Sequence, residues 1–200
     1  MKVATEYLGD VMQPLADEAS AYQPTAEELD RVAGVYYSSR TEQTVRIERR
    51  EGGLVLALWS GIPMIPVAPN RFRLRTAPTV FEYAPPTNGR PATITMLSGA
   101  GKANVLEAVV PVFPGPAELA EYAGTFRSTE LGVSYGVVLR DGKLALVHHK
   151  LGIVLLSPTL ADHFALENGD LTFVRGGAGP VSGFRLDSGR TRHLWFARDW

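Results

Sequence analysis

The feature that most constrains this chain is that it repeats itself. Leu29, Ala33, Gly34 and Ser38 recur 90 positions later as Leu119, Ala123, Gly124 and Ser128, with Tyr36 facing Phe126. At the same offset Arg50-Glu51-Gly52-Gly53-Leu54-Val55-Leu56 returns as Arg140-Asp141-Gly142-Lys143-Leu144-Ala145-Leu146. After a small length change near Pro69 and Pro158, Phe72 aligns with Phe164 and Phe81 with Phe173; near the ends Val105–Ala108 aligns with Leu194–Ala197. A unit this long exceeds the usual solenoid periods and is large enough to hold its own small core. The expected organisation is a leader over 1–25, one copy over 26–112 and a second over 116–200. Pro111, Pro114 and Pro116 make the joint stiff and non-helical.

Each copy reads as short strands. Thr44–Arg49 alternates polar and apolar, the period of a sheet with one wet face. Glu51-Gly52 and Asp141-Gly142 are hairpin turns. Arg71-Phe72-Arg73-Leu74-Arg75 turns two apolar side chains inward and three arginines outward. About eight strands per copy, with turns every ~8–12 residues, predict a sandwich or a closed barrel, and closure removes sheet edges prone to aggregation. A short helix opens each copy: Thr25-x-x-Glu28 is a capping box and Pro116 suits a first helical position, with Gly34 and Gly124 as stops. In the leader, Tyr7, Leu8, Val11, Met12 and Leu15 fall at helical spacing. Residues 1–30 carry seven carboxylates against Lys2 alone.

Composition narrows the chemistry. The net charge of −1 provides no bulk field toward nucleic acid or an anionic membrane. No run of ~18 apolar residues predicts a membrane span. The absence of cysteine removes disulfides, thiolate nucleophiles and cysteine-bound zinc, and leaves the compartment open. No cofactor or metal site is expected: His148 and His149 are neighbours that a strand would point to opposite faces, and a site from His149, His163 and a carboxylate has no supporting spacing. No serine has a lysine three residues later, and Gly179-Pro180-Val181-Ser182-Gly183 has the wrong spacing for a nucleophile elbow. Asp162-His163 with Ser157 or Ser182 is expected to be a turn aspartate and a surface histidine, not a triad. Gly99-Ala100-Gly101-Lys102 is expected to be a hairpin turn and not a phosphate loop.

Two features stand apart. Residues 31–90 carry nine arginines against four glutamates, with Arg71, Arg73 and Arg75 on one strand face. Arginine suits bidentate interface contacts, so this face is a candidate interface, with a solvated outer face as the plainer alternative. Single-strand nucleic-acid binding would place aromatics on that same face, and Phe72 points to the other. Gly176, Gly177, Ala178, Gly179 and Pro180 form a candidate projecting loop. Trp59, Phe72, Phe81, Phe164 and Phe173 read as barrel core, although residues of the same kind also line ligand cavities.

Leu119-x-x-Tyr122-x-Gly124-x-Phe126-x-Ser128, Asp141-Gly142-x-Leu144-x-Leu146, Leu155-x-x-Pro158, Asp162-x-Phe164, Phe173 and Val181-x-Gly183-Phe184 together resemble the lipocalin-like C-terminal barrels of serine β-lactamase-like hydrolases. That group includes penicillin-binding-protein-type esterases and D-aminopeptidases. The first copy keeps Leu29, Gly34, Tyr36, Gly52, Leu54, Leu56, Pro69 and Phe72 and departs in its middle. The resemblance implies an all-β chain of two tandem eight-stranded antiparallel barrels, itself non-catalytic, that packs on a serine hydrolase catalytic domain in cis or in trans. A barrel loop in such hydrolases screens substrates at the catalytic mouth. The acidic leader would then follow that domain, and the chain would be a fragment or a free-standing relative. The alternative is an independent lipocalin-like binder of a small apolar ligand.

Overall fold

The computed structural model describes residues 22–200 apart from Trp59, Ala100, Lys102, His149, Leu151, Asn168, Ala178 and Arg190. The expected leader helix therefore lies outside the described residues, as does the expectation that Trp59 is core. The remainder is all-β with two short helices. In the first copy, α1 (Ala26–Val32) leads into β1 (Gly34–Ser38), β2 (Gln43–Arg50), β3 (Gly53–Leu56), β4 (Ile62–Ala68), β5 (Arg71–Leu74), β6 (Thr79–Ala84), β7 (Thr93–Ser98) and β8 (Asn104–Val109). These eight strands follow one another in antiparallel order and β8 returns to β1, closing a barrel.

The second copy opens with α2 (Pro116–Tyr122). It continues through β9 (Gly124–Ser128), β10 (Val133–Arg140), β11 (Lys143–His148), β12 (Gly152–Leu155), β13 (Ser157–Leu160), β14 (His163–Leu166), β15 (Gly169–Arg175), β16 (Val181–Ser188) and β17 (Thr191–Asp199). Nine strands appear where eight are expected because one strand breaks at Leu156. β12 pairs with β11 and β13 with β14, while the Leu156 amide still donates to the Leu144 carbonyl at 2.9 Å. β4 divides its pairing between β3 and β5 in the same way without the break. The second barrel is thus nearly closed.

Local chemistry accounts for these elements. Thr25 and Glu28 exchange the two bonds of the capping box, at 3.2 and 2.8 Å. Glu51 and Gly52, like Asp141 and Gly142, all have positive φ, which gives the two-residue turns the twist that antiparallel strands require. The expected helix stops differ. Ala33 and Ala123 leave their helices in extended conformation, and Gly34 and Gly124 start strands. At Gly124 the reason is space: a Cβ there would lie 3.1 Å from the Arg198 guanidinium.

Strand pairing fixes how the copies correspond. Tyr36 opposite Val45 matches Phe126 opposite Tyr135, at the offset of 90. Met64 opposite Leu54 matches Leu156 bonded to Leu144, so two residues have entered the loop after β3 rather than near Pro69, and the counterpart of Pro158 is Pro66. The shorter turn after β14 then restores the original offset. Phe81 corresponds to Leu171, Tyr83 to Phe173, Ile94 to Phe184 and Leu106 to Phe196. The expected match of Val105–Ala108 with Leu194–Ala197 is one residue out of register, and that slip would exchange the buried and exposed faces of β8. Each barrel encloses a separate apolar core. The first holds Leu29 and Val32 of α1 with Tyr36, Phe72 and Phe81; the second holds Leu119 and Tyr122 of α2 with six phenylalanine or tyrosine rings in contact.

Candidate functional site: the seam between the barrels

Helix α1 covers the end of the first barrel where β1 begins; Arg49, at the far end of β2, reaches it through the Ala26 carbonyl and Asp30 at 3.0 and 2.9 Å. The opposite end, where β1 finishes and β2 starts, is the mouth. It faces the outer wall of the second barrel. From the mouth come Tyr37, Glu42 and Thr44; from the wall come His163 of β14, Asp170 of β15, Arg185 and Asp187 of β16, and His193 of β17.

The seam these residues make is polar. Arg185 forms an ion pair with Glu42 at 3.2 Å. The Thr44 amide donates to Asp170 Oδ2 at 3.4 Å, and Thr44 Oγ1 lies 3.4 Å from His163 Nδ1. The same ring nitrogen is 2.7 Å from Thr159 Oγ1, and the Tyr37 ring meets the imidazole edge-on at 5.5 Å. His193 sits 3.7 Å from both Glu42 and Asp187, and its amide donates to Asp187 at 2.9 Å. The Val112 amide of the linker adds a bond to the Thr159 carbonyl at 3.1 Å.

Burial sets the protonation states. His163 is 3% exposed, and loss of solvation lowers its pKa, which favours the neutral imidazole. Asp170 is 7% exposed and stands directly opposite Asp187 across the β15–β16 pair, an arrangement of like charges that destabilises a sheet. Burial first, and the facing carboxylate after it, push the Asp170 pKa up to about 6, against the lowering bonds from Thr44 and the charge of Arg192. Its Oδ1 has no hydrogen-bond partner among the described residues. A buried carboxylate so poorly answered is uncommon in a finished core.

A cleft of about 470 Å³ opens beside this cluster. Leu56, Leu74, Phe81 and Met96 line it from inside the mouth; Leu155, Ser157 and Asp170 line it from the second barrel. The two copies fill these positions differently. Tyr135 and Phe196 meet at a tilt with centroids 4.8 Å apart in the second barrel, with His148 against Tyr135 at the same separation. Their counterparts in the first barrel are the smaller Val45 and Leu106.

The residues singled out from sequence fall in several places. Asp162 and His163 diverge. Asp162 accepts from Tyr122 and from Arg175 Nε, both at 2.9 Å, which ties α2 over its barrel with help from an Arg175–Glu121 pair at 2.8 Å. His163 is buried in the seam rather than on the surface, because the wall that carries it is covered by the first barrel. Ser182 donates to the Val174 carbonyl at 3.0 Å, so no triad assembles from these residues. His149 lies outside the described residues. The loop of Gly176, Gly177, Gly179 and Pro180 is a tight turn, closed by Gly176–Pro180 and Gly179–Gly176 bonds, beside α2 and Trp200; its Ala178 lies outside the described residues.

Arg71, Arg73 and Arg75 project from the outer face of the first barrel, with Arg71 3.3 Å from Glu82 across the sheet. By strand pairing, Arg71 is the counterpart of His163, Val80 of Asp170 and Leu97 of Asp187. The arginine face and the seam wall are thus the same surface in the two copies. A second unusual surface is apolar: Val138, Ile153 and Leu155, on the outer side of β10 and β12, are 40, 50 and 54% exposed. Among the described residues no group of histidines and carboxylates could hold a metal ion, and no helix is long and apolar enough to cross a membrane. Compared with known proteins, the chain matches no family model and no curated protein. What the geometry defines is a tandem-barrel protein whose polar seam is its most unusual site.

Proposed function

We propose that this chain is a non-catalytic accessory module, lipocalin-like in both barrels, that packs on a serine β-lactamase-like hydrolase domain of the D-aminopeptidase or esterase type and shapes access to its active site. One observation carries the reading. The wall that the second barrel uses to receive the first is present again on the first barrel, carries Arg71 and Arg73, and faces solvent among the described residues. If docking propagates from wall to mouth along the chain, the next body upstream meets this arginine face. Carboxylates on that body would supply the bidentate partners that arginine favours. The exposed apolar strip of Val138, Ile153 and Leu155 supports the same reading, since an isolated domain gains nothing from such a patch.

The test starts from the coding DNA next to this chain. A hydrolase domain carrying Ser-x-x-Lys, expressed separately, is expected to bind residues 22–200 and to change its selectivity among ester and D-aminoacyl amide substrates. The double variant Arg71→Glu/Arg73→Glu is expected to abolish both effects while keeping the fold. Absence of a hydrolase domain in the same or an adjoining reading frame, or association indifferent to the charge reversal, would overturn the proposal.

A further inference from the structure

We propose that residues 1–21, the acidic stretch of the leader, dock on the outer wall of the first barrel, with carboxylates on Arg71 and Arg73 and apolar side chains over Ile65, Val80 and Leu97. Surface and occupant both belong to this chain, so the proposal stands or falls without a hydrolase partner.

The wall asks for an occupant that is acidic and apolar at once. Strand pairing sets Ile65, Arg73, Val80 and Leu97 in one row across β4–β7. A neighbouring row holds Arg71, Glu82, Thr95 and Val105, the last 50% exposed. In the second barrel the first of these rows reads Ser157, Ala165, Asp170 and Asp187, polar where a polar mouth covers it. The first barrel's version is apolar with an arginine in it, and no described residue covers it as the first mouth covers the other. Arg71 meets Glu82 in a pair whose side chains are 51 and 46% exposed, and such a pair contributes little. Arg73 has no ion-pair partner among the described residues. Both guanidiniums can therefore take carboxylates from another segment.

The leader has the matching chemistry. Glu6, Asp10, Asp17 and Glu18 stand against Lys2, and Tyr7, Leu8, Val11, Met12 and Leu15 fall at helical spacing. Spacings of four and seven put Glu6, Asp10 and Asp17 on one side of that apolar stripe. The leader also enters at the right place. Tyr22 donates to Glu28 of α1 at 2.6 Å, and the first turn of α1 lies by Arg49 of β2. In an antiparallel meander β5 starts at the same end as β1, so Arg71 is on the α1 side of the barrel. From β2 to β5 is three strands, about 14 Å around the barrel, and 21 residues reach about 30 Å even at the rise of a helix. A second copy fits less well. Where the first mouth has Tyr37 and Glu42, the second has Arg127 and Gly132, which would set arginine against arginine. In the full chain, a hydrolase domain using this wall would have to displace the leader.

The test uses the full chain, which has no native cysteine, with a nitroxide on Ala4→Cys and paramagnetic broadening of backbone amides as the readout. Signal loss is expected at Arg71–Leu74 and Val80–Glu82, with β10–β12 spared. Arg71→Glu/Arg73→Glu is expected to restore those signals, in a spectrum that itself reports whether the variant is folded. Adding Glu6→Arg/Asp10→Arg to that variant is expected to bring the loss back. Broadening that spares β5 and β6, or that survives the double charge reversal, overturns the proposal. So does broadening of β5 and β6 in an isotope-labelled chain without nitroxide when mixed with a nitroxide-bearing one, since a second copy would then supply the leader.

Discussion

Replacing Asp170 with asparagine isolates the physics of the seam. The substitution keeps an acceptor for the Thr44 amide and removes the charge. A carboxyl whose pKa rises from 3.8 in the unfolded chain to about 6 in the folded one is disfavoured, when ionised, by about 3 kcal/mol. The sign follows from linkage. Because the folded value is the higher, the folded state holds its proton more tightly; that stability is complete below about pH 4 and lost as the pH rises through about 6. The parent chain therefore carries the full penalty at pH 7.5 and none at pH 3.5, and the variant escapes it throughout. Urea unfolding of both proteins across that range is expected to show the variant gaining on the parent by about 3 kcal/mol between the acid and neutral ends, with about half of the gain reached near pH 5. A difference between the two proteins that does not change with pH would refute the reasoning, as would a variant that loses ground on the parent as the pH rises.

Two other substitutions test how each barrel is held. Phe184 touches Phe126, Phe173 and Phe196 at ring separations of 5.0, 5.8 and 4.8 Å, so Phe184→Ala is expected to cost the second barrel about 3–5 kcal/mol by urea unfolding. Phe184→Ile, which installs the residue that the first barrel uses at this position, is expected to cost clearly less. Arg175→Ala removes the ties from β15 to Asp162 and Glu121. Amide hydrogen exchange in α2 is expected to speed up about tenfold, while exchange in β16 stays unchanged.

Sequence and structure agree where the deciding forces are local. The turns at Glu51-Gly52 and Asp141-Gly142 are legible because glycine and aspartate tolerate positive φ, with Glu51 carried by the glycine that follows it, and the strands because alternation records which face is buried. The barrel count is legible because the pattern occurs twice. The last strand shows the limit: Leu106 and Phe196 share a role, but the identical Ala108 and Ala197 suggest a register one residue away, and a slip of one residue turns the strand over. Leu156 breaks a strand that Met64 leaves continuous, and no residue type marks the difference. The seam was least legible of all. His163, Asp170 and Arg185 occupy outward positions of their strands, where polar residues are unremarkable in a single barrel. Their burial comes from the other barrel covering that wall, a long-range contact that periodicity does not encode. The one available signal was a contrast between copies, since Arg71 and Val80 are replaced by histidine and aspartate at the equivalent positions.

The seam exists only if the mouth of the first barrel is fixed against the β14–β17 wall of the second. Tyr37 and His163 report on that contact from opposite sides of the seam, with ring centroids 5.5 Å apart. A nuclear Overhauser spectrum of the intact chain is expected to contain cross-peaks between the Tyr37 and His163 ring protons, with amides of both barrels sharing one rotational correlation time. Absent cross-peaks, together with two distinct correlation times, would mean that the barrels tumble separately and would contradict the account.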